Sequence, residues 1–351
     1  MNVVRICNVL VSAWCIAASG CSPEAPAASS VSRPHVVTAS RLSMGSTLTL
    51  TAWTDDEAAA TAAFDEVFNE FARLEKLLST WIPDSDVSRV NRAAGVDAVT
   101  TGSELREVLA TARQMSDWTG GKFDVTFGAL SGLWKFDHDQ DNSIPDHQAV
   151  LARLPLVDYR AIRINDAAGT VFLARKGMSI HLGGIGKGYA IDRGVAILRL
   201  RGFRDFMMQS GGDIYVSGLK DGRPWRLGIQ DPRGAANHSF AELDLSDGTF
   251  STSGDYERAF VKDGTRYHHI LDPATGEPAR GVRSVTIVAR RAVLADGLST
   301  GVFILGANAG LALIEKLPDV EGVIVNDKNE VVISSGLRGR VRILAPPTDS
   351  P

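Results

Sequence analysis

Cysteine is almost absent from this chain, and its few positions are as informative as its rarity. Only three cysteines occur among 351 residues, Cys7, Cys15 and Cys21, all near the N-terminus. The rest of the chain therefore has neither a disulfide nor a thiolate zinc site, and its core must suffice for folding. Aromatic residues are scarce, at 7%. Neither sign of charge dominates. The 37 Lys and Arg against 41 Asp and Glu leave a net charge of −4, which lacks the basic excess of a nucleic-acid-binding protein. The N-terminal apolar run, Ile6 to Ala18, is too short to span a bilayer and is interrupted by Asn8. There is no internal repeat. What remains is ordinary globular composition, 44% hydrophobic and 22% charged, with 34 glycines that mark turns and close backbone approaches. A chain of this length forms one large domain or two intimate ones.

One early charge, Arg5, and the apolar run read as a secretory signal over residues 1–20. The segment closes on Ala18-Ser19-Gly20-Cys21, small residues before a cysteine, similar to a bacterial lipobox. Cleavage there would leave a lipidated Cys21. A plain signal peptide is the alternative. Residues 21–38 are rich in Ser, Pro and Ala and are expected to tether a folded body over 39–345 to a membrane facing the periplasm.

Within the body, Ser46 to Trp53 alternates like a half-buried strand. Asp55 and Asp56 offer N-caps to an amphipathic helix carrying Phe64, Val67, Phe68, Phe71, Leu74, Leu77 and Leu78. Further helices are expected from Ser103 to the Gly120-Gly121 stop, from the glycines near 186 to Gly202, and over Ala292 to Leu305. Short strands are expected at 161–164, 170–173, 206–209, 213–217, 225–230, 241–245, 284–290, 322–325 and 330–334. Regular βαβ alternation is missing, so the fold class is α+β, with mostly antiparallel sheets, flanking helices and a single compact body.

Three clusters carry potential chemistry. The run from His181 to Ala190 sets Gly183, Gly184, Gly186 and Gly188 around Lys187 before a helix. It reads either as a phosphate-binding turn with a point charge or as a glycine-rich turn with a solvated lysine. The run from Tyr267 to Pro278 contains His268 and His269. Neighbouring strand residues point to opposite faces, so one can serve as a base but the two rarely share a metal. Asp272 and Thr275 read there as turn caps. In the run from Ala295 to Thr300, Asp296 and Thr300 share a helix face at i and i+4. They are either hard oxygen ligands suited to Mg²⁺ or simply a helix cap. Ser210 to Asp213 reads as a tight strand link, and Ser251 to Tyr256 as a polar loop.

In their order along the chain these pieces resemble the ApbE-type flavin transferases, the FAD:protein FMN transferases of bacterial envelopes. The resemblance runs from Met44 to Gly306. It rests on Met44-Gly45-Ser46, Ser85 to Asn91, Phe123 to Thr126, Gly183 to Asp192, Ser210 to Asp213, Thr252 to Asp255, His269 to Gly276 and Ala295 to Thr300. It implies a T-fold-like body, FAD as substrate, a bound Mg²⁺, and transfer of FMN to a Thr or Ser hydroxyl with release of AMP. It implies as partners acceptor flavoprotein subunits of redox-pump type, and membrane attachment through a lipid anchor.

Residue by residue, it implies Gly184, Asp296 and Thr300 as metal ligands and His269 as the base. Met44, Trp81, Asn91, Phe123, Asp124, Val125, His181, Lys187 and Ile270 would hold FAD. Family members usually carry an aspartate where this chain has His181, and threonine where it has Ser46. The competing readings are a Mg²⁺-dependent FAD pyrophosphatase and a non-catalytic FAD-binding lipoprotein.

Overall fold

A computed structural model describes residues 33–136, 139–235 and 238–350. The signal segment, Cys21 and most of the expected tether lie outside them. The strands are β1 (His35–Ser43), β2 (Ser46–Thr54), β3 (Val99–Thr100), β4 (Ile162–Asn165), β5 (Thr170–Leu173), β6 (Phe206–Ser210), β7 (Asp213–Ser217), β8 (Trp225–Gln230) and β9 (Ser239–Leu245). They continue with β10 (Gly248–Gly254), β11 (Ala259–Lys262), β12 (Thr265–His268), β13 (Val282–Ala289), β14 (Glu321–Asn326), β15 (Val331–Ile333) and β16 (Arg342–Ile343). The helices are α1 (Glu57–Leu78), α2 (Asp86–Arg92), α3 (Ser103–Trp118), α4 (His147–Arg153), α5 (Gly186–Leu200), α6 (Ala292–Leu305) and α7 (Ala307–Ile314). None of these helices is long and apolar enough to cross a membrane.

The organising element is an eight-stranded sheet in the order β1-β2-β6-β7-β10-β13-β14-β15, with each neighbouring pair antiparallel. The α+β expectation, antiparallel and undivided, is borne out. The two-residue strand period decides what each face does. On β13, Val285, Ile287 and Ala289 join the cluster built on α6, with Leu298, Val302 and Phe303. Val288 points the other way, into a second cluster with Trp225, Leu227, Phe240 and Leu243 of the β16-β9-β8 sheet. All eight residues of β13 are buried, as a strand covered on both faces requires. Tyr215 of β7 belongs to the helical side, while Val216 belongs to the opposite side. Asp213, two residues before Tyr215, therefore also faces the helices.

The helices form where the spacing predicts. Asp56 caps α1 by accepting from the Ala59 N–H at 2.9 Å. One face of α1, including Phe64, Val67, Phe71 and Leu74, is buried. Gly120 and Gly121, at φ +61° and +86°, turn the chain after α3.

Three expectations need correction. The tether was expected to reach residue 38, but His35 to Thr38 already pair with β2. This edge strand is recognised by its backbone, not by burial: Val37 is its one buried residue. The body also extends past residue 345, because the Thr348 N–H and hydroxyl donate to Asp231 Oδ2 at 2.9 and 2.6 Å. Finally, Ser251 to Gly254 is not a loop. It is the second half of β10, paired with β13 throughout and with β7 at Ser251.

Helices α5 and α6 cross closely because Gly188 lacks a side chain. A Cβ there would lie 2.7 Å from Asp296 Cβ and closer still to the Ala292 carbonyl. Gly188→Ala must push backbone against backbone, an overpacking cost of about 1–3 kcal/mol. We expect a Tm lower by several degrees in thermal melts; an unchanged Tm would show that the helices part freely.

Candidate active site

The sheet's helical face and the two crossing helices converge on a small polar cluster. Lys187, at the start of α5, places Nζ 2.7 Å from Asp213 Oδ2. The other oxygen of Asp213 accepts from Ser251 Oγ, its cross-strand neighbour. Asp296, on α6, is 5% exposed, and its Oδ2 accepts from the Gly188 N–H at 2.8 Å. Burial, reinforced by the Asp213 carboxylate, pushes the Asp296 carboxyl well above the carboxylate range, against the pull of Lys187 and the Gly188 N–H. Burial alone would lower the Lys187 ammonium, but Asp213 and Asp296 outweigh it and hold the group charged. Two buried carboxylates thus share one ammonium. The charged form of Asp296 is therefore disfavoured until a further positive charge arrives.

The residues fit a hard divalent cation. Thr300 follows Asp296 by one turn, and a Cβ on Gly184 would lie 3.1 Å from Thr300 Oγ1. Glycine at 184 therefore leaves the backbone against that hydroxyl. Carboxylate, hydroxyl and carbonyl are the oxygen donors that Mg²⁺ takes. Among the described residues no three His, Cys, Asp or Glu side chains group as metal ligands.

The two histidines divide as the strand alternation predicts. His268 is 2% exposed, and its Nδ1 accepts from the Ile270 N–H at 3.3 Å. Its Nε2–H therefore donates to the Ala279 carbonyl, at 2.8 Å. Phe303 meets the ring edge-on at 5.5 Å. Burial lowers its pKa to about 4, so it is a neutral core residue. His269 is half-buried, and its Nδ1 has no hydrogen-bond partner among the described residues. Burial first, then the positive charge of Arg258, lower its pKa to about 3. A neutral imidazole with an uncommitted nitrogen can accept a proton.

The other sequence candidates fall into three groups. Met44 adopts φ +49° at the tip between β1 and β2. Ser46, two residues on, bonds Ser210 Oγ at 3.0 Å, and Gly211 stands against both Ser46 and Lys187 Nζ. That tip therefore belongs to the cluster. So does buried Phe123, whose ring packs against Gly184 and Gly297. Ile270 is buried directly after His269.

A second group builds walls. Asn91 clasps Ile180, donating to its carbonyl at 2.9 Å and accepting from its N–H at 2.7 Å. The Val125 carbonyl accepts from the His181 N–H at 2.8 Å. Asp124 accepts from the Thr126 N–H and hydroxyl and from the Tyr159 N–H. His181 Nδ1 accepts from the Gly183 N–H at 3.1 Å. Trp81 is 60% exposed on the loop before α2.

The glycine-rich turn differs from a bare phosphate cradle. The N–H groups of Gly183, Ile185, Gly186 and Gly188 are already taken within the protein. Its glycines serve close packing. The nearby carboxylates Asp255 and Asp272 are engaged in ion pairs. Asp255 makes a two-pronged pair with Arg233 at 2.7 Å, and Asp272 pairs with Lys122 at 2.7 Å while capping its turn. Sequence reasoning missed Asp213, Ser253 and Ser299 as site residues; their polarity on buried faces was the available signal.

The chain is similar in sequence and fold to known proteins. The sequence pattern of the ApbE family matches residues 44–324. An FAD:protein FMN transferase of Treponema pallidum is 35% identical over 298 residues, covering 81% of this chain and 82% of that protein. One from Klebsiella pneumoniae is 31% identical, covering 87% and 94%. The crystal structure of the Thermotoga maritima ApbE protein superposes with a TM-score of 0.80 at 31% identity, covering 87% and 99%. The flavin transferase ApbE of Vibrio cholerae gives 0.79 at 27%, covering 88% and 99%. A family pattern matched over residues 44–324, with relatives and solved structures covering most of the chain, leaves one assignment: the chain belongs to the ApbE family.

Proposed function

We propose that this protein is a Mg²⁺-dependent FAD:protein FMN transferase, moving FMN from FAD to a Thr or Ser hydroxyl of an acceptor flavoprotein and releasing AMP. The observation that carries the reading is the buried Asp213–Lys187–Asp296 cluster beside Thr300 and Gly184, with the Asp296 carboxyl held raised by burial and Asp213, near a neutral His269. The names of the relatives support the substrate and the reaction class.

Gly184, Asp296 and Thr300 would hold the cation. When bound, Mg²⁺ supplies charge neutralisation to phosphoryl oxygens. His269 takes the proton of the acceptor hydroxyl as that oxygen attacks the FMN phosphorus. The P–O bond to AMP breaks, and AMP leaves with the bridging oxygen. Lys187 adds fixed positive charge at the wall formed by Gly211. Met44, Phe123 and Ile270 give the apolar surface against which a flavin or adenine ring packs, and Asn91, Val125 and His181 hold the neighbouring wall in place.

The test is to incubate residues 33–351 with FAD, Mg²⁺ and a candidate acceptor, then weigh the acceptor. Acceptor mass should rise by one FMN, with AMP in equal amount. Free FMN and AMP with an unmodified acceptor would instead assign an FAD pyrophosphatase.

We further propose that the protein works at the periplasmic face of a bacterial membrane, anchored by a lipid on Cys21. The lipobox-like Ala18-Ser19-Gly20-Cys21 supports this. Cys21→Ser should move the protein to the soluble fraction with its transfer rate intact; membrane retention of that variant would overturn the anchor.

A further inference from the structure

The metal-site reading rests on Thr300 offering an oxygen lone pair, yet a hydroxyl can equally present its hydrogen. The structure contains a chain of hydroxyls that decides between these. Ser299 Oγ donates to the Asp296 carbonyl at 2.8 Å. A serine has one hydroxyl hydrogen, so Ser299 has none left to give. Ser253 Oγ lies 2.8 Å from Ser299 Oγ. In that contact Ser253 must therefore be the donor. Its single hydrogen is then used, and Ser253 meets its other neighbour, Thr300 Oγ1 at 3.3 Å, only as an acceptor. The remaining hydrogen, that of Thr300, goes to Ser253. The polarity runs one way, from Thr300 through Ser253 and Ser299 to the Asp296 main chain.

Strand register builds this relay. Ser251 and Ser253 alternate onto the helical face of β10, where Ser251 meets Asp213 and Ser253 meets α6. Ser299 is 1% exposed, so no bulk water competes for its hydrogen. An apolar residue at 253 would pack acceptably against α6, but it would leave the Thr300 hydrogen without a fixed acceptor.

We infer that Ser253 is a positioning residue for the cation site: its hydroxyl takes the Thr300 hydrogen and so fixes the Thr300 oxygen as a lone-pair donor. Ser253 itself touches neither substrate nor cation. The inference rests on the Mg²⁺ reading of the site given above, and supplies what that reading leaves open, namely why this threonine behaves as a ligand. Outer residues that orient a ligand are typically worth about 10–100-fold in metal affinity.

The experiment titrates Mg²⁺ into the FAD-loaded protein and reads the apparent Kd from the rise in Tm, apart from any turnover. Ser253→Ala should weaken Mg²⁺ by about tenfold or more while its Tm without Mg²⁺ stays near that of the parent. Ser253→Thr, which keeps the hydroxyl on a β-branched side chain suited to a strand, should restore most of the affinity. If Ser253→Ala does not fold, Ser253→Cys is the near-isosteric substitute and should show the same weakening, because a thiol is a poor acceptor. Equal affinity in parent and Ser253→Ala would overturn the inference. So would equal loss in Ser253→Ala and Ser253→Thr, which would mark a packing effect. An unmutated protein whose Tm ignores Mg²⁺, as Asp296→Asn should, would overturn the metal reading itself and this inference with it.

Discussion

Asp296→Asn should fold as well as the parent and lose Mg²⁺-dependent transfer almost entirely. Asparagine keeps the oxygen that accepts from the Gly188 N–H, so the α5–α6 crossing retains its bond. It replaces a carboxyl whose charged form is disfavoured in the metal-free protein by burial and by repulsion from Asp213. The Tm without Mg²⁺ should therefore hold or rise. Transfer should fall by about 10²–10³, the rate equivalent of the several kcal/mol that a bound cation supplies to a transferring phosphoryl group. The pH dependence has a definite sign. Because its carboxyl is raised, Asp296 binds a proton that must leave before a cation enters. Apparent Mg²⁺ affinity should climb as pH rises above the ordinary carboxylate range, and Asp296→Asn should flatten that slope. Undiminished transfer at low Mg²⁺ in the variant would remove Asp296 from the site.

The paired histidines give the second large effect, because mutating each should damage a different property. His269→Ala should bind FAD and Mg²⁺ with near-normal affinity and lose about 10²–10⁴ of its transfer rate, the usual size of a general-base contribution. His268→Ala should do the reverse. It leaves the Ala279 carbonyl and the Ile270 N–H without partners and opens a gap beside Phe303. Each unsatisfied buried group costs about 1–3 kcal/mol, so its Tm should drop while the rate per folded molecule survives. The sequence alone places the rate-limiting titration near pH 6.5, where an unperturbed histidine changes charge. The structure moves it. With a pKa near 3, His269 is already deprotonated from pH 5 upward, so kcat/KM should show no histidine limb between pH 5 and 8. For His268, a folded pKa of about 4 against 6.5 means the unfolded chain binds the proton more readily. Stability should be full above pH 6.5 and should decline as pH falls from there toward 4. Equal losses of rate in the two variants would make His269 structural and send the search for the base elsewhere.

The sequence by itself determined the elements whose faces are apolar. Helix α1 announces itself through Phe64, Phe68 and Phe71 under an Asp56 cap, and α6 begins and ends at the residues its pattern marks. Antiparallel α+β organisation followed from short strands without βαβ alternation. Strand alternation separated His268 from His269 before any contact was known.

The tertiary structure decided whatever depends on a partner distant in sequence. Strand β1 pairs through backbone groups at a sheet edge and buries Val37 alone, so hydrophobic period had little to register. The second half of β10 looked like a polar loop because Ser251 and Ser253 face a polar site across from Asp213 and Ser299 instead of an apolar core. The glycines around Lys187 look alike in sequence whether they cradle a phosphate or admit a neighbouring helix. Only the Ala292 carbonyl and Asp296 against Gly188 show the second use. Lys187 could have been solvated; an Asp213 26 residues further along the chain, turned inward by strand register, makes it part of a charged cluster. Periodicity records which side chains avoid water, and that is local information. Which polar groups satisfy one another is set by the register of strands and the crossing of helices, and neither is written in any single segment.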